Sequence, residues 1–346
     1  MAIGIAIACA PSAPIASPPT PPPAATLDTT PLVTPVRGLV DGFDGTAGVV
    51  IAFPGVPEPI YMTHADMPFI AASLYKLAVL LHVERLVERG ALSYDDTITI
   101  EDADVTIDGS NEPAGTTLTI DDALEEMITY SDNGCALALL RVYGANATNA
   151  DLAAAGITGF RVAENADEDH MVTARAVATF FDRLATRQLV SPAASNRMLA
   201  RLERQTINDR LPRDLPDGVL VAHKTGDLVG LVHDAGVIEA PNGPRIAVVL
   251  TSGGTQADAQ DLIARIGALA YSVALVRPAA LSAQVAPLPA PQTSWSRFGT
   301  GAAAAVLAIV VLVLAWVMLA RRSARRRARR ASGPMTVWSP ERRRPP

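Results

Sequence analysis

"AASLYKLAVLLH" (residues 71–82) holds Lys76, one of only two lysines in a 346-residue chain that carries 29 Lys and Arg together. The second, Lys224, lies in "VAHKTGDL" (221–228). The remaining cations are all arginine. Arginine supplies charge equally well, but its guanidinium does not deprotonate in proteins, whereas a lysine amine does so once it is buried or placed beside another cation. Two lysines kept among arginines are therefore candidate proton carriers. The stretch around Lys76 is apolar on nearly every helical face up to Val83, which predicts a central, buried helix from Ser73 to Glu88.

Ser73 precedes Lys76 by three residues, so on a helix the two side chains share a face. A serine at a helix N-terminus is helped by the helix dipole and by free backbone N–H groups. A neutral amine beside it can take the hydroxyl proton, so that Ser73 can attack a carbonyl. The ordinary lysine pKa of about 10.4 has to fall for this to work, and a second cation would lower it. Lys224 is the candidate. Lys224 itself opens Lys-Thr-Gly (224–226), and "YSDNGCA" (130–136) adds Ser131-Asp132-Asn133 between the two lysines. Composition alone would set Ser-x-x-Lys on one lysine and Lys-Thr-Gly on the other about once in a few thousand sequences.

Outward from the helix, "TAGVVIAF" (46–53) and "PIYMT" (59–63) read as a β-hairpin. Residues 120–155 read as short helices, and 173–188 and 192–205 as amphipathic ones. Three strands are predicted at "GVLVAHK" (218–224), "LVGLVHDAGVI" (228–238) and "RIAVVLTS" (245–252), followed by a closing helix at 255–275. Strands at both ends with helices between predict an α+β domain. Its antiparallel sheet joins the two ends of the chain around an all-helical subdomain.

Cys9 and Cys135 offer no disulfide framework, and no Cys/His group has zinc spacing, so neither a cofactor nor a metal is expected. The net charge of −6 is uneven: ten arginines and Glu341 in residues 321–346 leave −15 for the rest, which speaks against a nucleic-acid partner. Residues 1–35 read as a truncated leader and proline-rich spacer, and 36–276 as the catalytic domain. Residues 277–297 read as a Pro/Ala-rich linker, 298–320 as a transmembrane helix, and 321–346 as an Arg-rich cytoplasmic tail. The arginines beside the span orient it by the positive-inside rule. The expectation is a single-pass protein of a bacterial cell membrane, monomeric, with its catalytic domain outside the cytoplasm.

Ser-x-x-Lys, Ser-Asp-Asn and Lys-Thr-Gly in this order resemble the class A β-lactamases and the related penicillin-binding D,D-peptidases. The resemblance covers about residues 40–275. It implies a serine hydrolase with Ser73 as the acylated nucleophile, Lys76 as its proton partner and Ser131 as the relay to the leaving nitrogen. Asn133 would hold the substrate's side-chain carbonyl, and Asp132 would brace its loop. Lys224 and Thr225 would anchor the substrate carboxylate, and Gly226 would let the strand lie close. The N–H groups of Ser73 and Asp227 would form an oxyanion hole. The implied partner is a β-lactam or an acyl-D-Ala-D-Ala-like small substrate.

Two departures concern release of the acyl group. Class A β-lactamases carry E-x-x-L-N in a loop after the second motif, whose glutamate activates the hydrolytic water. Here "GITGFRVAENADEDHMVTARAVA" (156–178) has Glu164 but no such motif, and Thr173, where the next helix begins, follows Glu164 by only nine residues. Leu137 stands where the family often has a supporting asparagine. The leading reading is a β-lactamase-like hydrolase. The alternatives are a D,D-carboxypeptidase acting on peptidoglycan stems and a non-hydrolysing lactam- or wall-binding domain.

Overall fold

From the N-terminus the chain forms α1 (Thr30–Asp41), β1 (Thr46–Ala52), β2 (Tyr61–Thr63), β3 (Pro68–Ile70) and α2 (Tyr75–Glu88). Then come β4 (Thr97–Thr99), β5 (Thr117–Thr119), α3 (Ile120–Thr129), α4 (Asn133–Tyr143) and α5 (Ala145–Ala154). β6 (Phe160–Arg161), β7 (Met171–Thr173), α6 (Ala174–Ala185) and α7 (Pro192–Leu202) follow. The chain returns through β8 (Val221–Leu228), β9 (Leu231–Ile238) and β10 (Arg245–Ser252) to α8 (Gln256–Ser272). This computed structural model describes residues 28–105, 108–165 and 167–275. The expected leader, the linker, the span at 298–320 and the arginine tail lie outside the described residues. Among the described residues no helix is long and apolar enough to cross a membrane.

The main sheet has five strands in the order β2-β1-β10-β9-β8, all antiparallel. β1 pairs with β10, with Val49 opposite Val249, so the two ends of the domain share one sheet, as the strand pattern predicts. Side chains alternate across a strand. Val50 and Ala52 therefore join the apolar cluster of α2 and α6, while Val49 and Ile51 join that of α1 and α8. Both faces are covered, which is why these strands read as continuous apolar runs. The insert is not purely helical: β4 pairs with β5, and β3, β7 and β6 form a three-stranded sheet.

Every residue of α2 from Tyr75 to Glu84 is buried, as its all-round apolar pattern requires. Lys76, His82 and Glu84 are the polar members of this run, and Glu84 lies farthest along it. Its Oε2 accepts from Tyr94 Oη at 2.7 Å and pairs with Arg197, which offsets part of the cost of burying the carboxylate. Thr119, Asp132, Thr173, Ser191 and Thr255 cap five helices, each accepting the N–H three residues on.

Two corrections concern boundaries. α1 begins inside the stretch read as spacer. Pro31 and Pro35 continue the spacer's composition, and docking overrides their poor helix propensity: Leu32 and Val36, one turn apart, are fully buried against the α8 side of the sheet. β8 also runs past Lys224 to Leu228, because the hairpin turns at Val229-Gly230, where Gly230 adopts φ +77°. Lys224, Thr225 and Gly226 are therefore interior to the edge strand rather than at its end.

Candidate active site

Ser73 sits on a single 3₁₀ turn (Ala72–Leu74) that leads into α2, not on the α-helix proper. Ala72 holds φ +44°, an uncommon conformation for a residue with a β-carbon. Two contacts secure the turn. Ala71 N donates to His170 O at 2.7 Å, and β8 packs against it from the other side. A β-carbon on Gly226 would lie 3.2 Å from Ala71 O and 3.3 Å from Ala72 Cβ, tighter than ordinary packing, so glycine lets the strand come this near without a shift.

Lys76 is wholly buried. Its Nζ donates to Ser131 O at 2.5 Å and Asn133 Oδ1 at 2.6 Å, and lies 3.1 Å from Ser73 Oγ and 3.2 Å from Ser131 Oγ. A carbonyl and an amide oxygen can only accept. They take two N–H bonds and leave the third position of the nitrogen facing hydroxyls, which can donate as well as accept. The amine is thus placed to receive a proton from Ser73. Ser131, at φ +61°, lies in the turn between α3 and α4. Lys224 Nζ reaches the same hydroxyl, Ser131 Oγ, at 2.8 Å. The structure therefore brings Ser73, Lys76, Ser131 and Lys224, drawn from three separate parts of the chain, into one chain of contacts.

Asp132 does not face this chain. Fully buried, it accepts from Cys135 N at 2.6 Å and from Asn111 N, tying the segment after Asp108 to the start of α4. Asn133 Nδ2 donates to Asp108 O at 2.6 Å, so the side chain that touches Lys76 is also held from outside. Thr225 is 1% exposed, and its Oγ1 has no hydrogen-bond partner among the described residues. Asp227 Oδ1 accepts from Arg210 Nη2 at 2.6 Å. Arg210 was not legible in the sequence. One arginine among so many carries no signal, and its burial comes from the 208–211 segment crossing β8 and β9.

Burial is what lowers the Lys76 pKa, to about 7, against the raising effect of Asp132. The expected cause, the field of Lys224, falls on the other partner: Lys224 is pushed well down by burial and then by the charge of Lys76.

Other polar residues are structural. His82 pairs with Asp151 at 2.6 Å, and Cys135 is fully buried. His223 pairs with Asp234 at 2.9 Å, but its second nitrogen faces Asn208 Oδ1 at 3.0 Å, so no serine completes that pair. His233 Nδ1 accepts from Thr251 N, so Nε2 carries the proton donated to Ile70 O. His170 stacks on Tyr75 at 4.0 Å. Glu164 is exposed and turned to α5, where the Asn146 amide, oriented to satisfy its bonds, donates to Oε2 at 2.7 Å. It makes no hydrogen bond to Ser73 or Lys76.

The two-lysine composition permits a direct check of the electrostatics. Lysine-selective isotope labelling should give two side-chain NMR signals, with that of Lys76 titrating near pH 7 and neither at the ordinary value. The amine would then be largely neutral above about pH 7. Two signals titrating together near pH 10 would show that neither amine is desolvated.

The profile of the β-lactamase enzyme family matches residues 31–274. β-Lactamase VEB-1 of Pseudomonas aeruginosa is 28% identical over 207 residues, 53% of this chain and 69% of its own. A β-lactamase of Sphaerobacter thermophilus superposes with a TM-score of 0.65 at 27% identity, covering 71% of this chain and 96% of that one. PBP-A superposes with a TM-score of 0.65 at 24% identity over 73% and 98%, which speaks to the fold. A variant of PBP-A has been solved as an acyl-enzyme complex with penicillin G. With the serine β-lactamase-like fold, the three motifs joined by side-chain contacts and the family profile spanning the domain, this chain belongs to the β-lactamase enzyme family.

Proposed function

We propose that the protein is a serine hydrolase that opens β-lactam amide bonds through an acyl-enzyme on Ser73. The contact chain Ser73–Lys76–Ser131–Lys224 is the observation that carries this reading. Ser73 Oγ attacks the lactam carbonyl while its proton passes to Lys76 Nζ. The backbone N–H groups of Ser73 and Asp227 receive the developing oxyanion. As the C–N bond breaks, Ser131 Oγ protonates the leaving nitrogen and is reprotonated from the lysine amines beside it. Asn133 orients the acyl side chain. Lys224 and the unpartnered Thr225 hydroxyl hold the substrate carboxylate, and Gly226 keeps β8 close.

A second reading, a D,D-carboxypeptidase acting on acyl-D-Ala-D-Ala stems, is favoured by one observation. β6 pairs directly with β7, and Glu164, on the connection between them, accepts from the Asn146 amide. Such a site acylates readily and hydrolyses its acyl-enzyme slowly. Incubation with a fluorescent penicillin should label the protein once, on the peptide containing Ser73, and the label's decay should separate the readings. Rapid turnover supports the lactamase, and a label lasting many minutes supports the peptidase. A protein left unlabelled, or labelled elsewhere, refutes acylation at Ser73.

The lysines should not be interchangeable with arginine. Loss of general-base help costs about 10²- to 10⁴-fold, so acylation by Lys76→Arg should fall at least that far. Lys224→Arg keeps an anchoring charge, and its loss should be nearer tenfold. Stopped-flow acylation of the two variants checks the order. Equal losses would assign proton transfer to both amines.

The same reading includes the membrane. The uncharged stretch GAAAAVLAIVVLVLAWVMLA (301–320), followed by seven arginines within ten residues, supports a C-terminal anchor with the catalytic domain outside the cytoplasm of a bacterial cell. Protease added to intact cells should then remove the domain and leave the tail. Complete protection would reverse the topology.

A further inference from the structure

Acid–base chemistry on Ser73 leaves the side chain of Asp227 without a role. Side-chain alternation puts Thr225 and Asp227 on one face of β8, about 7 Å apart, and Lys224 on the other. The pairing of Thr225 with Asp234 across to β9 sets Asp234 on that same face. Arg210 crosses it. Its guanidinium is buried, donating through Nη2 to Asp227 Oδ1 at 2.6 Å and through Nη1 to His233 O at 3.0 Å, with Asp209 Oδ1 3.2 Å from Nε. Asp234 is already occupied by His223 at 2.9 Å and Leu211 N at 3.1 Å. The face therefore offers an incoming carboxylate the unpartnered Thr225 hydroxyl beside a fixed cation, but that cation already holds a carboxylate supplied by the protein.

We propose that the Asp227 side chain is a specificity determinant: by pairing with Arg210 beside Thr225 it occupies the cation a substrate carboxylate would use, and so weakens capture of anionic substrates. This inference rests on the reading of the cleft as a lactam- or acyl-peptide-acylated site. The pair is close to neutral as seen by a ligand, and the carboxylate also repels a second anion directly. Asp227 is 42% exposed at its side chain, and when it loses its charge the buried Arg210 guanidinium still has the Asp209 carboxylate 3.2 Å from Nε. Asparagine at the position keeps an oxygen that Arg210 can still donate to, and it keeps the backbone N–H, so it removes the charge alone.

The test measures second-order acylation rates of benzylpenicillin and of its methyl ester, which lacks the anionic carboxylate, on the wild-type protein, Asp227→Asn and Asp227→Ser. In both variants the ratio of the acid's acylation rate to the ester's should rise about tenfold, the size of one charge-assisted contact. The gain for the acid should shrink at high salt. Equal changes for acid and ester, or no change in either, would overturn the proposal while leaving acylation at Ser73 intact. Failure of both compounds to acylate the wild-type protein would overturn the functional reading and this one with it.

Discussion

Two lysine amines buried against one serine hydroxyl are the constraint on which the rest of the structure depends. Lys76 and Lys224 both reach Ser131 Oγ, and neither amine is exposed to solvent. Removing a cation from water is expensive, so burial lowers the pKa of both amines. The cost becomes the chemistry, because a lysine near neutrality at pH 7 is a base that an exposed lysine is not. Holding such groups together needs a scaffold that cannot relax. The pieces come from the turn before α2, the turn before α4 and the middle of β8, and each is fixed by bonds outside the site.

Those outer bonds explain several residues that take no part in proton transfer. Asp132 caps α4 and ties it to Asn111, which fixes the turn carrying Ser131. Asn133 is held by Asp108 and in turn accepts from Lys76. His170 and Gly226 clamp the turn carrying Ser73 from opposite sides. Two non-glycine residues with positive φ, Ala72 and Ser131, lie beside or within the reactive group. Conformations of this kind cost roughly 1–3 kcal/mol each and persist only where the surroundings over-determine them.

The acidic loop illustrates the opposite case, a local feature without a site. Glu164, Asp167, Glu168 and Asp169 crowd a short hairpin, and the structure turns Glu164 to Asn146 and Glu168 to Arg161. The nearby His170 is pushed down to about 4 by burial, so at neutral pH it packs on Tyr75 as an uncharged ring.

The order of Ser-x-x-Lys, Ser-Asp-Asn and Lys-Thr-Gly was enough to single out Ser73, Lys76, Ser131 and Lys224 as one candidate group, because those motifs resemble the family's, and the structure brings the four side chains together. Hydrophobic periodicity likewise determined α2, α6, α7, α8 and the sheet that joins both ends, since burial on one or all faces writes itself into the pattern. Helix α1 was not legible: its prolines argue against a helix, and only docking of Leu32 and Val36 stabilises one. Nor was the end of β8, where Thr-Gly-Asp resembles a turn but continues an edge strand. The source of the lowered Lys76 pKa, the pairing of Glu164 with Asn146 and the pairing of Arg210 with Asp227 were decided by tertiary structure alone. Desolvation and charge pairing depend on distances between segments far apart in the chain, and no local pattern of residues encodes a distance.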